Sequence, residues 1–160
     1  MSDRYDFARF LAAQDSQDSQ DSQDSQDSQD SQDSQYSQVL NELRAGRKTG
    51  HWMWYIFPQI QGLGASETSR YYAIASLAEA KAYLAHPILG ARLLECTALV
   101  NQIANRSLVE IFGTIDAMKF RSSMTLFREA NPGTAAFREA LDKYCDGTPD
   151  ELTLAFLRKA

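Results

Sequence analysis

Apolar residues recur at spacings of three and four along most of this chain, the pattern of helices that bury one face. Leu89, Leu93, Cys96, Val100 and Ile103 follow one another by four, three, four and three, and Pro87 suits a first helical turn. This predicts a long helix from about residue 87 to residue 103 with that stripe in the core. A second helix is expected to begin near Asp116 and stop before Asn131-Pro132-Gly133, burying Phe120, Met124 and Phe127. Two more are predicted over about 134–145, with Phe137, Leu141 and Tyr144 inward, and about 150–159, with Leu152, Leu154, Phe156 and Leu157 inward. Ser76/Glu79, Ser107/Glu110 and Thr148/Glu151 have the spacing of capping boxes and mark helix starts. Shorter helical patterns lie at Phe7–Leu11 and Val39–Leu43. The expected fold is all-α, a compact bundle of about seven or eight helices.

One segment breaks the pattern. Asp15 to Gln35 is seven consecutive copies of Asp-Ser-Gln without one apolar side chain. A helix turns about 100° per residue, so a period of three shifts each successive Asp by about 60° and no apolar face forms. Asp and Ser also compete for nearby backbone groups, and a segment with nothing to bury cannot offset the entropy of ordering it. The repeat is expected as a disordered acidic insertion in a helix–helix connection, interrupting a single domain over residues 1–160 at 15–35. It also distorts the charge balance. The chain has 160 residues, 16 basic and 21 acidic, for a net charge of −5, but seven of the acids lie in the repeat. The rest carries 14 acids against 16 bases and has no basic footprint for nucleic acid.

Several chemistries are missing from the sequence. No apolar stretch approaches the ~20 residues of a membrane helix, and the first residues lack the layout of a secretory signal, so a cytoplasmic protein is expected. Cys96 and Cys145 share no CxxC spacing, and His51 and His86 stand far apart, so no metal-ligand pattern emerges. Each cysteine reads as a small core residue. There is no GxxxxGK[ST] or GxGxxG loop, Gly62-Leu63-Gly64 lacking the third glycine, and no cofactor is implied.

Two polar concentrations remain. The first is Gly50 to Gln59, where His51, Trp52, Trp54, Tyr55 and Phe57 crowd together in a short helix or extended segment. Trp52, Ile56 and Phe57 are read as core. Trp54, Tyr55, His51 and Gln59 could line a pocket wall, where an aromatic face stacks a flat ring, the Gln59 amide orients it and His51 carries a proton near neutral pH. The second is Lys119 to Thr125, where Lys119, Ser122 and Ser123 share one helix face and Arg121 and Thr125 a neighbouring one. Two cations and three hydroxyls suit an anion such as a phosphate or carboxylate, although an ordinary solvated helix face would show the same residues. Neither serine sits in a GxSxG elbow.

These motifs, in this order, resemble a known bacterial family. His51 to Gln59 followed by Gly62-Leu63-Gly64, then Tyr72-Ala73-Ile74, Tyr83 to Pro87 with Leu89-Gly90, Ile111-Phe112-Gly113 and Lys119 to Phe127 are similar to the family called domain of unknown function 1810. The resemblance covers about Tyr5 to Leu157, with the Asp-Ser-Gln array as the large departure, where such proteins have a short link. It implies a mostly helical domain with no established activity. Genomes sometimes carry the label calpastatin for such proteins, but calpastatins are disordered chains and this one has a packed helical pattern. The family's recurring polar motifs fall on His51, Trp54, Gln59, Lys119, Arg121, Ser122 and Ser123. Two readings stay open: a small anionic, nucleotide-like ligand bound where both segments converge, or a non-enzymatic protein-interaction module using the same aromatics and cations.

Overall fold

Most helices begin where a side chain can accept an N–H that the first turn leaves unpaired. A computed structural model describes residues 5–16 and 34–159 and contains, among them, ten helices. They are α1 (Ala8–Asp15), α2 (Gln35–Ala45), α3 (Met53–Ile56), α4 (Glu67–Tyr71), α5 (Leu77–Ala85), α6 (Leu89–Gln102), α7 (Leu108–Phe112), α8 (Thr114–Ala130), α9 (Ala135–Cys145) and α10 (Glu151–Lys159). Ser34, Ser66, Ser76 and Ser107 cap α2, α4, α5 and α7 by accepting from the amide three residues on. At α7 the box is reciprocal, with Glu110 returning to the Ser107 amide. At α5 Glu79 instead accepts from the Ala75 amide at 2.7 Å. Thr148 does not open α10 as its spacing suggested. The Asp150 carboxylate, directly before the helix, accepts from the Thr153 amide at 3.0 Å. His86 caps α6, its Nδ1 accepting from the amides of Ile88 and Leu89.

The fold is all-helical among the described residues, with ten helices where seven or eight were expected. The extra ones are α3 and α4, of four and five residues, too short to show a helical period; α3 falls where a short helix or extended segment was expected, and α7 starts at the Ser107/Glu110 box as expected. Helix α8 is the axis, packed against α3, α5, α7, α9 and α10. Phe120, Met124 and Phe127 lie inward as expected, and so do Ser122, Ser123 and Thr125. The stripe Leu89, Leu93, Cys96 and Val100 is buried on α6, which packs on α2, α5 and α9. Burial pushes the Cys96 thiol up to about 12, so it stays protonated as a core residue. Leu152, placed inward from sequence, is 61% exposed, because Thr153 turns into the core to meet Asp150.

The expected disorder of the Asp-Ser-Gln repeat concerns residues 17–33, which lie outside the described residues. The two ends of the repeat belong to the fold. Asp15 closes α1 and pairs with Arg92 at 3.0 Å, and the Gln35 amide at the start of α2 donates to the Ser16 carbonyl at 2.8 Å. The insertion thus departs from and returns to one point between adjacent helices. Among the described residues no helix is long and apolar enough to cross a membrane, and no group of three His, Cys, Asp or Glu could hold a metal ion.

Candidate functional site

The turn between α2 and α3 has few apolar residues, and charged side chains hold it in place. Glu42 Oε1 accepts from the amides of Thr49 and Gly50, at 2.8 and 3.0 Å, and from the Trp52 indole at 2.8 Å. Burial alone would raise this carboxyl, but the Gly50 and Thr49 amides and the Trp52 indole outweigh it and hold it below the usual carboxylate range. Lys48 lies over the Trp52 ring, 5.2 Å from its centre, and pairs with Asp116 of α8 at 2.7 Å. Asp116 also meets Lys119 one turn on, at 3.8 Å. The Lys119 ammonium in turn stands 5.0 Å from the centre of the Trp54 ring, a cation–π contact between α8 and α3. Trp52 is sealed in the core and Trp54 is half-buried. The Trp54 Nε1–H is buried and finds no acceptor among the described residues, a donor whose isolation costs about 1–3 kcal/mol.

Trp54 and Gln59 line one hollow. Its other wall comes from the segment that leaves the core after Ile60 and carries Gly62, Gly64, Arg70 and Tyr72. The volume open to water is about 10 Å³, room for roughly one water molecule. The side chains of Gln59 and Arg70 form no hydrogen bond or ion pair with the described residues. The hollow is therefore lined by an amide, a guanidinium and an indole whose N–H is itself sealed from solvent, beside an aromatic face already met by a cation.

The profile of the family described as protein of unknown function (DUF1810) matches residues 4–157. The chain belongs to the DUF1810 family. The crystal structure of the conserved hypothetical protein Rv1873 from Mycobacterium tuberculosis is similar to it over 98% of this chain and 99% of that one, at 46% identity and a TM-score of 0.82. Among curated proteins none matches.

In this DUF1810 chain the residues singled out from sequence fall in three places. Trp54, Gln59 and Lys119 gather at or beside the hollow. Arg121 and Ser122 lie at the start of α10: Arg121 donates to the carbonyls of Thr148 and Pro149 at 3.0 and 3.1 Å, and Ser122 Oγ reaches Asp150 Oδ2 at 3.1 Å. Thr125 Oγ1 completes that joint by accepting from the Asp150 amide at 2.9 Å. Ser123 is fully buried, its hydroxyl without a partner among the described residues. His51 is exposed before α3 and lines no part of the hollow. Sequence reasoning missed Arg70, which sits in a segment without periodicity. It also missed Glu42, Lys48 and Asp116, whose partners are set only by the tertiary fold.

Proposed function

We propose that this domain binds a small anionic molecule with a flat group at the Trp54 hollow. The observation that carries the reading is a hollow lined by Trp54, Gln59 and Arg70, with a Trp54 indole N–H that finds no acceptor among the described residues. An anion supplies the acceptors that Trp54, Gln59 and Arg70 lack. Lys119 adds positive charge behind the ring and Asp116 keeps it there. Carboxylates and phosphates both fit this chemistry. Arg121, Ser122 and Ser123, although first considered for the same role, are left out of the proposed contacts, because the first two already serve the α8–α10 joint and the third is sealed. His51 has no role in it. The interaction-module reading needs exposed tryptophans, and neither Trp52 nor Trp54 is exposed.

The test is a thermal-shift screen with inorganic phosphate, benzoate and adenosine monophosphate, repeated on Lys119→Ala and Trp54→Phe. A ligand at 100 times its Kd stabilises the native state by about 2.7 kcal/mol. The reading expects at least one anion to raise Tm, with the shift reduced in both variants. No shift with any anion, or a shift that both variants keep in full, overturns it.

A further inference from the structure

The chain leaves the core at Ile60 and returns beside it at Ile74. These two residues, both sealed from solvent, form a parallel bridge, with the Gln61 amide donating to the Ile74 carbonyl at 2.8 Å and the Ile74 amide to the Gln59 carbonyl at 2.9 Å. A segment of this length with joined ends is an Ω-loop. Its foot is fixed in the core, but its crown has little to hold it: α4 contributes no buried residue. Tyr72 secures one side of the foot, its ring lying 5.6 Å from Phe10 and 5.5 Å from Tyr55. Gly62 stands on the other side with φ +107°, a conformation that side chains rarely adopt.

The crown between these points is folded tightly on itself. Gly64 lies so close to Ser69 that an added methyl carbon would stand 2.4 Å from its hydroxyl oxygen, and Ser66 caps the short helix. Two latches reach it from outside. Arg9 of α1 donates to the Tyr71 carbonyl at 2.7 Å, and the Phe156 ring of α10 presses on the open face of Gly62. Beneath lie Trp54 and Gln59, in a space that admits about one water while the crown is down. Nothing larger enters unless the crown lifts.

We propose that residues 62–71 are a lid over the Trp54 hollow, lifting between Gly62 and Tyr72 with loss of the crown's own hydrogen bonds while the Ile60–Ile74 bridge stays shut. The lid carries Arg70, so opening withdraws a cation from the hollow and closing returns it. Segments of this kind open with free energies far below global unfolding, and such gating is common over binding sites. The inference rests on the hollow as the binding site for its purpose, but its test needs no ligand, so a silent anion screen and a rigid crown are separate results.

Hydrogen exchange on the full chain provides the first measurement. The Arg70 and Tyr72 amides, bonded within the crown to Ser66 and Thr68, should exchange at least about 100-fold faster than the Gln61 and Ile74 amides of the foot. The second measurement is acrylamide quenching of tryptophan fluorescence, in which Trp54 is the accessible indole because Trp52 is sealed. Phe156→Leu and Arg9→Gln each release one latch. At least one should raise crown exchange several-fold and increase quenching, with α8 amides unchanged. Crown and foot amides exchanging at one rate in the native chain overturn the proposal, whatever the variants do. So does unchanged quenching in both variants when they fold.

Discussion

The joint between α8 and α10 turns on one carboxylate, and its removal has a calculable cost. Asp150 Oδ2 takes the Thr153 amide at 3.0 Å, the Thr153 hydroxyl at 2.6 Å and the Ser122 hydroxyl at 3.1 Å. In Asp150→Ala, α10 loses its cap, worth about 1 kcal/mol. The Ser122 hydroxyl keeps the Met118 carbonyl, 3.1 Å away, as an alternative acceptor. The Thr153 hydroxyl has no such alternative among the described residues and is fully buried, so leaving it unpaired costs a further 1–3 kcal/mol or so. The total is about 2–4 kcal/mol. For a chain of this size each kcal/mol moves Tm by roughly 2–4 °C, so a drop of about 4–16 °C is expected. Urea denaturation at pH 7 measures the free energy directly, and an unchanged m-value would show that the loss belongs to the native state. Asp150→Asn keeps an acceptor at the cap and should recover part of the loss. A cost below about 0.5 kcal/mol, the scale of an ordinary surface change, would refute the claim that Ser122 and Thr153 are held by this group.

Two other substitutions probe the frame of the fold. Because the native state holds the Glu42 carboxyl below its ordinary range, this group stabilises the fold above about pH 4.3 and loses that contribution as pH falls through its native value. Glu42→Gln should therefore lower Tm at pH 7, with the gap to the unmodified protein closing in acid; a gap constant with pH would remove the charge from the explanation. Gly90→Ala should destabilise by more than about 3 kcal/mol in a urea melt, because the added methyl carbon would stand 2.0 Å from the Leu84 carbonyl oxygen, although alanine is otherwise the better helix former by about 1 kcal/mol.

What the sequence revealed and what it hid divide along physical lines. The stripe on α6 was legible because fourteen residues repeat a period several times. Helices α3, α4 and α7 end before a period can repeat, so α4 and α7 depend on capping serines and α3 and α7 on the core that receives them. Asp150 displaced Thr148 as the α10 start because proximity to the first turn outweighs the spacing of a box. The polar run on α8 is the more instructive case. Hydroxyls beside cations read as a solvated face or as an anion site, and the structure gives them a third use. With five helices packed around α8, its hydroxyls are turned inward, and Ser122 and Thr125 bind the start of α10. A single helix pattern carries no information on how many neighbours surround it. Lys119 points elsewhere because Asp116, one turn earlier, draws it toward Trp54. Arg70 reaches the same hollow from a segment with no period at all.

The two ends of the Asp-Ser-Gln repeat are built into the fold. Its triplets have one sequence, yet those at the ends make specific contacts: Asp15 with Arg92, Ser34 as the cap of α2, and Gln35 accepting from the Tyr55 hydroxyl at 3.2 Å. The backbone bond from Gln35 to Ser16 closes the base. Each of these contacts lies outside residues 17–33. Excising the three central triplets, Asp21 to Gln29, therefore leaves all of them in place and halves the closed segment. If the repeat is disordered as its sequence predicts, closure entropy changes by about 0.6 kcal/mol per halving, and the shortened protein should be slightly more stable, by roughly 1–2 °C in Tm. Ser34→Ala removes one atom from the last triplet and should cost about 1 kcal/mol by loss of the cap. One oxygen at the edge would then outweigh nine residues from the middle. A loss above about 2 kcal/mol from the excision would show that the central triplets touch the fold, since closure alone cannot supply a penalty of that sign or size.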